Sequence, residues 1–187
     1  MYQPIDIPRN KKFGSNYWEA FSPKLNRIIK LYSDLEYDHW LLVESDPNIK
    51  EFCEQPLRIQ NFSGKSNRQS IFDMWILYQD NSEQFLEIKY QSDLHKQRVK
   101  EQILTQQQWC LKNNKKYRIV TDREIRNSHI RLSNARLMIS FLKNSCNNKS
   151  MIVHLNTVAQ IIQLKHKITI KQLKESGVSI VLWTHLS

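Results

Sequence analysis

The sequence is short of the residues that build most small-ligand and metal sites. It has only three glycines in 187 residues, and Gly14 and Gly64 stand alone. That excludes a glycine-rich loop cradling phosphates and an ATP site built on one. The three cysteines, Cys53, Cys110 and Cys146, lie far apart with no Cys-x-x-Cys spacing, so neither a zinc site nor a disulfide framework is indicated. The six histidines show no His-x-His or His-Glu-x-x-His spacing, and His95 reads as a surface residue at a helix start. Long apolar runs are missing too: stretches such as "VSIVLW" are far too short to cross a bilayer, and the opening "MYQPIDIPRNKKFG" has no apolar core of a signal peptide. No membrane partner is expected, and the expected compartment is the cytoplasm.

Acidic residues are the last shortage. Against 28 lysines and arginines stand 18 aspartates and glutamates, a net charge of +10 that favours a polyanionic partner, nucleic acid foremost. With 40% hydrophobic residues the chain still has enough apolar mass for a core. Three segments are expected: a basic, turn-rich arm over 1–30, with Pro4, Pro8, Gly14 and Pro23; a core over 31–125; and a small helical module over 126–187.

Within the core, "SDLEYDHWLLVESDP" places Leu35, Trp40, Leu41 and Val43 near helical spacing, with Ser33 as N-cap and Pro47 just past the end. "IKEFCEQPLRIQNF" reads as a β-type stretch interrupted at Pro56, followed by the basic polar loop "SGKSNRQ". Next come two apolar runs, "SIFDMWILY" and "FLEIKY", joined as a hairpin through "QDNSEQ". "DLHKQRVKEQILTQQQWCLKNN" carries Val99, Ile103, Leu104 and Leu111 at helical spacing, with "TQQQW" as a helix face and Trp109 in the core, and "KKYRIVTD" is a short strand. Helix, three strands, helix, strand is an α/β order with a largely antiparallel front and a crossover at the end. The segments "LSNARLMISFLKN", "LNTVAQIIQLK" and "TIKQLKESG", closed by "VSIVLW", suggest a winged-helix or helix-turn-helix module in which Lys171 and Lys174 lie on a solvated helix face or meet phosphates or a partner protein.

The chemistry is carried by the hairpin. Period-two alternation puts Glu87 and Lys89 on one face of a strand, and the hairpin brings Asp73 to the same end of the sheet. Two carboxylates with the backbone carbonyl of Ile88 can hold a hard cation such as Mg²⁺, and Lys89 can orient or deprotonate an attacking water and offset charge in the transition state. Asp…Glu-x-Lys by itself is also a common solvated face with one cross-strand pair. Gln55, before Pro56, either supports the site or satisfies a strand end.

The order helix with Glu36, Asp73, Glu87-Ile88-Lys89, basic helix and strand resembles the PD-(D/E)xK nucleases, whose usual proline is replaced here by Phe72. More specifically, "SPKLNRIIKLYSDLEYDHWLLVESDPNIKEFCEQPLRI", the Asp73 and Glu87-Ile88-Lys89 motif, and "YRIVTDREIRN" with "LSNARLM" resemble the TnsA family over roughly residues 20–140. Some of its members carry glutamine where this chain has Glu87. The resemblance implies a restriction-endonuclease-like α/β fold, a mixed sheet flanked by helices. It also implies a Mg²⁺-dependent endonuclease, in which Mn²⁺ substitutes, that cuts the 5′ strands at transposon ends beside a DDE-type transposase and an AAA+ ATPase regulator. Carried onto this chain, the catalytic set is Glu36, Asp73, Glu87 and Lys89, the metal donors are Glu36, Asp73, Glu87 and Ile88, and the protein is expected at the nucleoid. A free-standing restriction or repair nuclease and an inactive DNA-binding scaffold are the rival readings.

Overall fold

The structure, a computed structural model, describes residues 2–7, 16–61 and 68–145. The chain divides into two units, residues 1–136 and 137–187. Of the second unit residues 137–145 are described, and they are helical. The later helices and closing strand expected of the C-terminal module, with Lys171 and Lys174, lie outside the described residues. So do Gly14, Gly64 and Cys146.

The elements run β1 (Trp18–Ser22), β2 (Arg27–Leu31), α1 (Asp34–Ser45), β3 (Ile49–Glu54), β4 (Arg58–Asn61), β5 (Arg68–Ile71), β6 (Met74–Tyr78), β7 (Glu83–Lys89), α2 (Gln97–Lys112), β8 (Lys116–Thr121), α3 (Asp122–Ile125) and α4 (His129–Ser145). The central sheet has strand order β3-β6-β7-β8; β7 and β8 are parallel and the other two pairings antiparallel. A parallel pair needs a crossover, and α2 provides it. This is the mixed α/β sheet flanked by helices that the sequence suggests. The β4–β5 hairpin forms a separate two-stranded ribbon because the chain breaks at Pro56 and again at Phe72–Asp73.

Alternation along the strands sorts the two faces. Trp75, Phe85 and Tyr117 lie in register on one face and pack with Cys53, Ile59, Phe72, Cys110 and Trp109 beneath α2. The Phe72 ring lies 4.8 Å from that of Phe85 and 5.5 Å from that of Trp109. Phe72, in place of the nucleases' proline, is therefore a wholly buried anchor directly before Asp73. Ile76, Leu86 and Val120 point the other way, toward α1. Leu35, Trp40, Leu41 and Val43 of α1 are all buried, as their spacing predicts.

Two expectations are corrected. The apolar spacing in α2 nominates Leu104 and Leu111 for the core, yet both are exposed, Leu111 at 84%, and the residues turned fully inward are Gln106 and Cys110. Residues 18–30, read as part of a basic arm, form with Leu31 the β1–β2 hairpin. Two of its cations, Lys24 and Arg27, are internal clamps: the Lys24 ammonium donates to the carbonyls of Val43, Asp46 and Ile49 at 3.1, 2.7 and 2.8 Å, closing the C-terminus of α1. Arg27 forms a bidentate pair with Glu54, both bonds 2.6 Å. Buried Glu44 completes the lock by accepting from Ser22 Oγ at 2.6 Å and from the Lys24 N–H at 2.7 Å.

Candidate active site

Asp73 sits in the break between β5 and β6. Its own N–H donates to Leu86 O at 3.1 Å, its carbonyl accepts from Gln55 N at 3.1 Å, and its Oδ2 accepts from Ile88 N at 2.8 Å. Because Met74 pairs with Leu86, the residue before the one stands beside the residue after the other, so Asp73 meets Glu87. Glu87 is wholly buried on the α2 side of β7. Its Oε1 pairs with Lys89 Nζ and accepts from Gln102 Nε2 at 2.5 Å; its Oε2 accepts from Gln106 Nε2 at 2.7 Å. Lys89 Nζ also lies 3.8 Å from Asp73 Oδ2, with the side chain 20% exposed. One cation thus sits between two carboxylates at the floor of a cleft of about 850 Å³ lined by Gln55, Ser70, Asp73, Lys89, Arg98 and Gln102, among others.

The electrostatics follow from this packing. Burial pushes the Glu87 carboxyl above its ordinary range, the Asp73 charge adds to the rise, and Lys89 pulls it back only in part. For Lys89, burial works against the charged form, but the Asp73 and Glu87 carboxylates outweigh it and the net shift is upward. Lys89 is accordingly an ammonium at neutral pH.

Glu36 is engaged differently. The N-cap of α1 is Ser33, whose Oγ accepts from Glu36 N at 3.1 Å, and the Glu36 carboxylate accepts from Tyr32 N at 3.0 Å, Ser33 Oγ at 3.2 Å and Gln55 Nε2 at 3.3 Å. The carboxylate raises the Lys89 pKa, so it lies within electrostatic reach of that ammonium. Among the described residues no group of three or more His, Cys, Asp or Glu side chains is arranged to hold a metal ion. The structure therefore brings together Asp73, Glu87 and Lys89, and leaves Glu36 one step behind them. The step is Gln55, which is buried and has φ of 41°. The other described non-glycine residues with positive φ are asparagines, which adopt that conformation readily; a glutamine held there marks a constrained position. Of the two readings of Gln55, supporting the site is the one its contacts favour.

Asp73 lines the cleft and Glu87 lies buried beside it, both paired with Lys89; Mg²⁺ is commonly bound by one or two protein carboxylates with water and phosphate oxygens completing the shell. The donor set fits the ion the resemblance implies.

The residues that sequence reasoning passed over are Gln102, Gln106 and Tyr117, whose hydroxyl donates to Gln106 Oε1 at 2.7 Å. The signal was present: Gln102 and Gln106 are four apart on the helix that follows the motif, and therefore on one face.

Residues 46–122 match the family model described as TnsA-like endonuclease N terminal. This stretch is similar to the TnsA-like endonucleases. The matched stretch contains Gln55, Asp73, Glu87, Ile88, Lys89, Gln102, Gln106 and Tyr117, and Glu36 lies ahead of it. No curated protein matches the chain. Among the described residues no helix is long and apolar enough to cross a membrane.

On the opposite face of the sheet, a cavity of about 320 Å³ is lined by His39, Leu42, Ile76, Leu86, Arg118 and Glu124, among others. His39 is buried there with no hydrogen-bond partner for Nδ1. Burial pushes its pKa from 6.5 down to about 4; Asp73 and Glu124 pull upward and Arg118 downward, all to a lesser extent. Below its ordinary pKa of 6.5 the unfolded chain binds a proton that the folded imidazole refuses until about pH 4, so stability falls as pH drops through that window. Between pH 7 and 4.5 the loss from this group is about 2–3 kcal/mol, at 1.4 kcal/mol per pH unit. His39→Leu should remove that part of the acid sensitivity, measured as the change in urea midpoint between the two pH values. Equal acid sensitivity in the two proteins would clear His39.

Proposed function

We propose that this protein is a TnsA-like endonuclease, the Mg²⁺-dependent, DNA-cutting subunit of a heteromeric transposase. In this reading it hydrolyses the 5′ strands at transposon ends, beside a DDE-type transposase and an AAA+ ATPase regulator. The observation that carries the reading is the Asp73–Glu87–Lys89 cluster, lying inside the matched residues and opening on the cleft. The net charge of +10 suits a DNA substrate.

Asp73 and Glu87, with the Ile88 carbonyl, would hold Mg²⁺ or Mn²⁺. Bound there, the ion supplies Lewis-acid polarisation of the phosphodiester and a more acidic water. Lys89 stays protonated and sets its charge against the negative oxygens that develop as water adds to phosphorus. Arg98, at the cleft wall, adds a second positive charge for the DNA backbone. Glu36 holds Gln55 in place and contributes negative potential behind Lys89.

The test is reconstitution. The full chain, incubated in Mg²⁺ with DNA carrying the ends of its element, should nick weakly or not at all by itself. It should nick the 5′ strand when the transposase partner is supplied, and stop when EDTA is added. Efficient sequence-specific cleavage by the chain alone would replace this reading with a free-standing nuclease. DNA binding with no nicking in any mixture would replace it with a scaffold.

A further inference from the structure

The buried polar network behind Glu87 is larger than a helix–sheet contact requires. Gln106 is wholly buried on α2, nineteen positions from the carboxylate it meets. Its Nε2 faces Glu87 Oε2 at 2.7 Å, Ser70 Oγ at 3.0 Å and Ile71 O at 3.3 Å, while its Oε1 accepts from the Tyr117 hydroxyl at 2.7 Å. The chemistry of these neighbours allows one orientation of the amide. A carboxylate and a peptide carbonyl only accept, so the NH₂ end must face them, and Tyr117 supplies the donor that the C=O end needs. One turn earlier, Gln102 donates to the other oxygen of the same carboxylate at 2.5 Å. Both Glu87 oxygens are thereby tied to α2, and the plane of the carboxylate is fixed.

We propose that Gln102 and Gln106, with Tyr117 setting the Gln106 amide, are positioning residues that hold the Glu87 carboxylate in its metal-binding orientation. The inference rests on the metal-dependent reading above. A glutamate side chain has three rotatable bonds, and a small hard cation demands near-ideal octahedral geometry. A carboxylate already fixed by outer hydrogen bonds binds such an ion without losing that freedom, which is why outer partners of metal ligands matter by about 10–100-fold. The alternative, a network that only glues α2 to the sheet, predicts a change in stability without a change in metal affinity.

Tyr117→Phe separates the two. It deletes the hydroxyl alone and keeps the ring, whose centroid lies 6.2 Å from that of Phe72. Gln106→Met is the stronger companion. On the full chain without DNA, Mn²⁺ affinity is measured by electron paramagnetic resonance, with thermal midpoints taken in EDTA; the Mg²⁺ half-saturation of nicking is then measured in the reconstituted system. Mn²⁺ affinity should fall about 10-fold in Tyr117→Phe and further in Gln106→Met, and half-saturation should rise in step, with kcat at saturating metal within a few-fold of wild type. If Gln106→Met does not fold, Tyr117→Phe decides. Mn²⁺ affinity within twofold of wild type in the variants that fold would overturn the inference and leave the network purely structural. A wild-type chain that binds no Mn²⁺ would overturn the metal-dependent reading itself, and the inference with it.

Discussion

Replacing Lys89 with alanine is expected to slow 5′-strand nicking by about 10²–10⁴-fold at saturating Mg²⁺, while DNA and partner binding stay within a few-fold of wild type. The ammonium stands between Asp73 Oδ2 and Glu87 Oε1 and faces the cleft, so its loss removes the positive charge best placed to meet a phosphate. The substitution has a second effect that must be measured separately. Glu87 is wholly buried, and deleting its cation leaves the carboxylate with two amide donors and a repelling Asp73. Breaking a buried pair in this way costs up to about 3–5 kcal/mol, so the variant should melt earlier in EDTA. If Asp73 and Glu87 form a cation site, Mg²⁺ should recover more stability in Lys89→Ala than it adds to wild type, because the ion then neutralises both carboxylates alone. In a transposition assay the variant should leave 3′-end joining intact without 5′ cleavage, giving cointegrates in place of simple insertions. Simple insertions at the normal rate would remove Lys89 from the chemistry.

How far the sequence could be read follows from how local each feature is. Asp73, Glu87 and Lys89 were legible because a hairpin fixes its own register: once Met74 pairs with Leu86, alternation settles which side chains share a face. The crossover of α2 into a parallel β8 was legible for a similar reason, since strand, amphipathic helix and strand admit few arrangements. The inner face of α2 was not. Apolar spacing favours Leu104 and Leu111, whereas the face turned to the sheet carries Gln102 and Gln106, whose partner Glu87 lies on a strand fifteen or more positions away. A buried amide is invisible to hydrophobic periodicity, because its burial depends on an acceptor that only the fold delivers. The β1–β2 hairpin was hidden in the same way. Lys24 and Arg27 count as basic-arm residues until Val43, Asp46, Ile49 and Glu54 are brought to them.

Glu36→Gln should lower nicking by about 10–100-fold and raise the Mg²⁺ requirement, with little change in thermal midpoint. The structure explains why this substitution is informative where alanine is not. Glu36 Oε2 accepts from Tyr32 N and Gln55 Nε2, and Oε1 accepts from Ser33 Oγ. A glutamine can place its one carbonyl oxygen where Oε2 stands and turn its NH₂ toward Ser33 Oγ, which rotates its own proton away and accepts. The helix cap then survives, since glutamine serves a capping box nearly as well as glutamate. What is lost is the charge. That charge raises the Lys89 pKa and sets the electrostatic environment behind the Asp73–Glu87 pair, and as an anion Glu36 also holds the Gln55 amide more strongly than a neutral acceptor would. Weakened grip on Gln55 passes directly to Asp73, whose carbonyl accepts from Gln55 N at 3.1 Å. Direct metal ligation by Glu36 would show as a loss as deep as that of Asp73→Asn. Full nicking at wild-type Mg²⁺ dependence would instead confine Glu36 to capping α1 and leave Asp73, Glu87 and Lys89 as the whole reacting set.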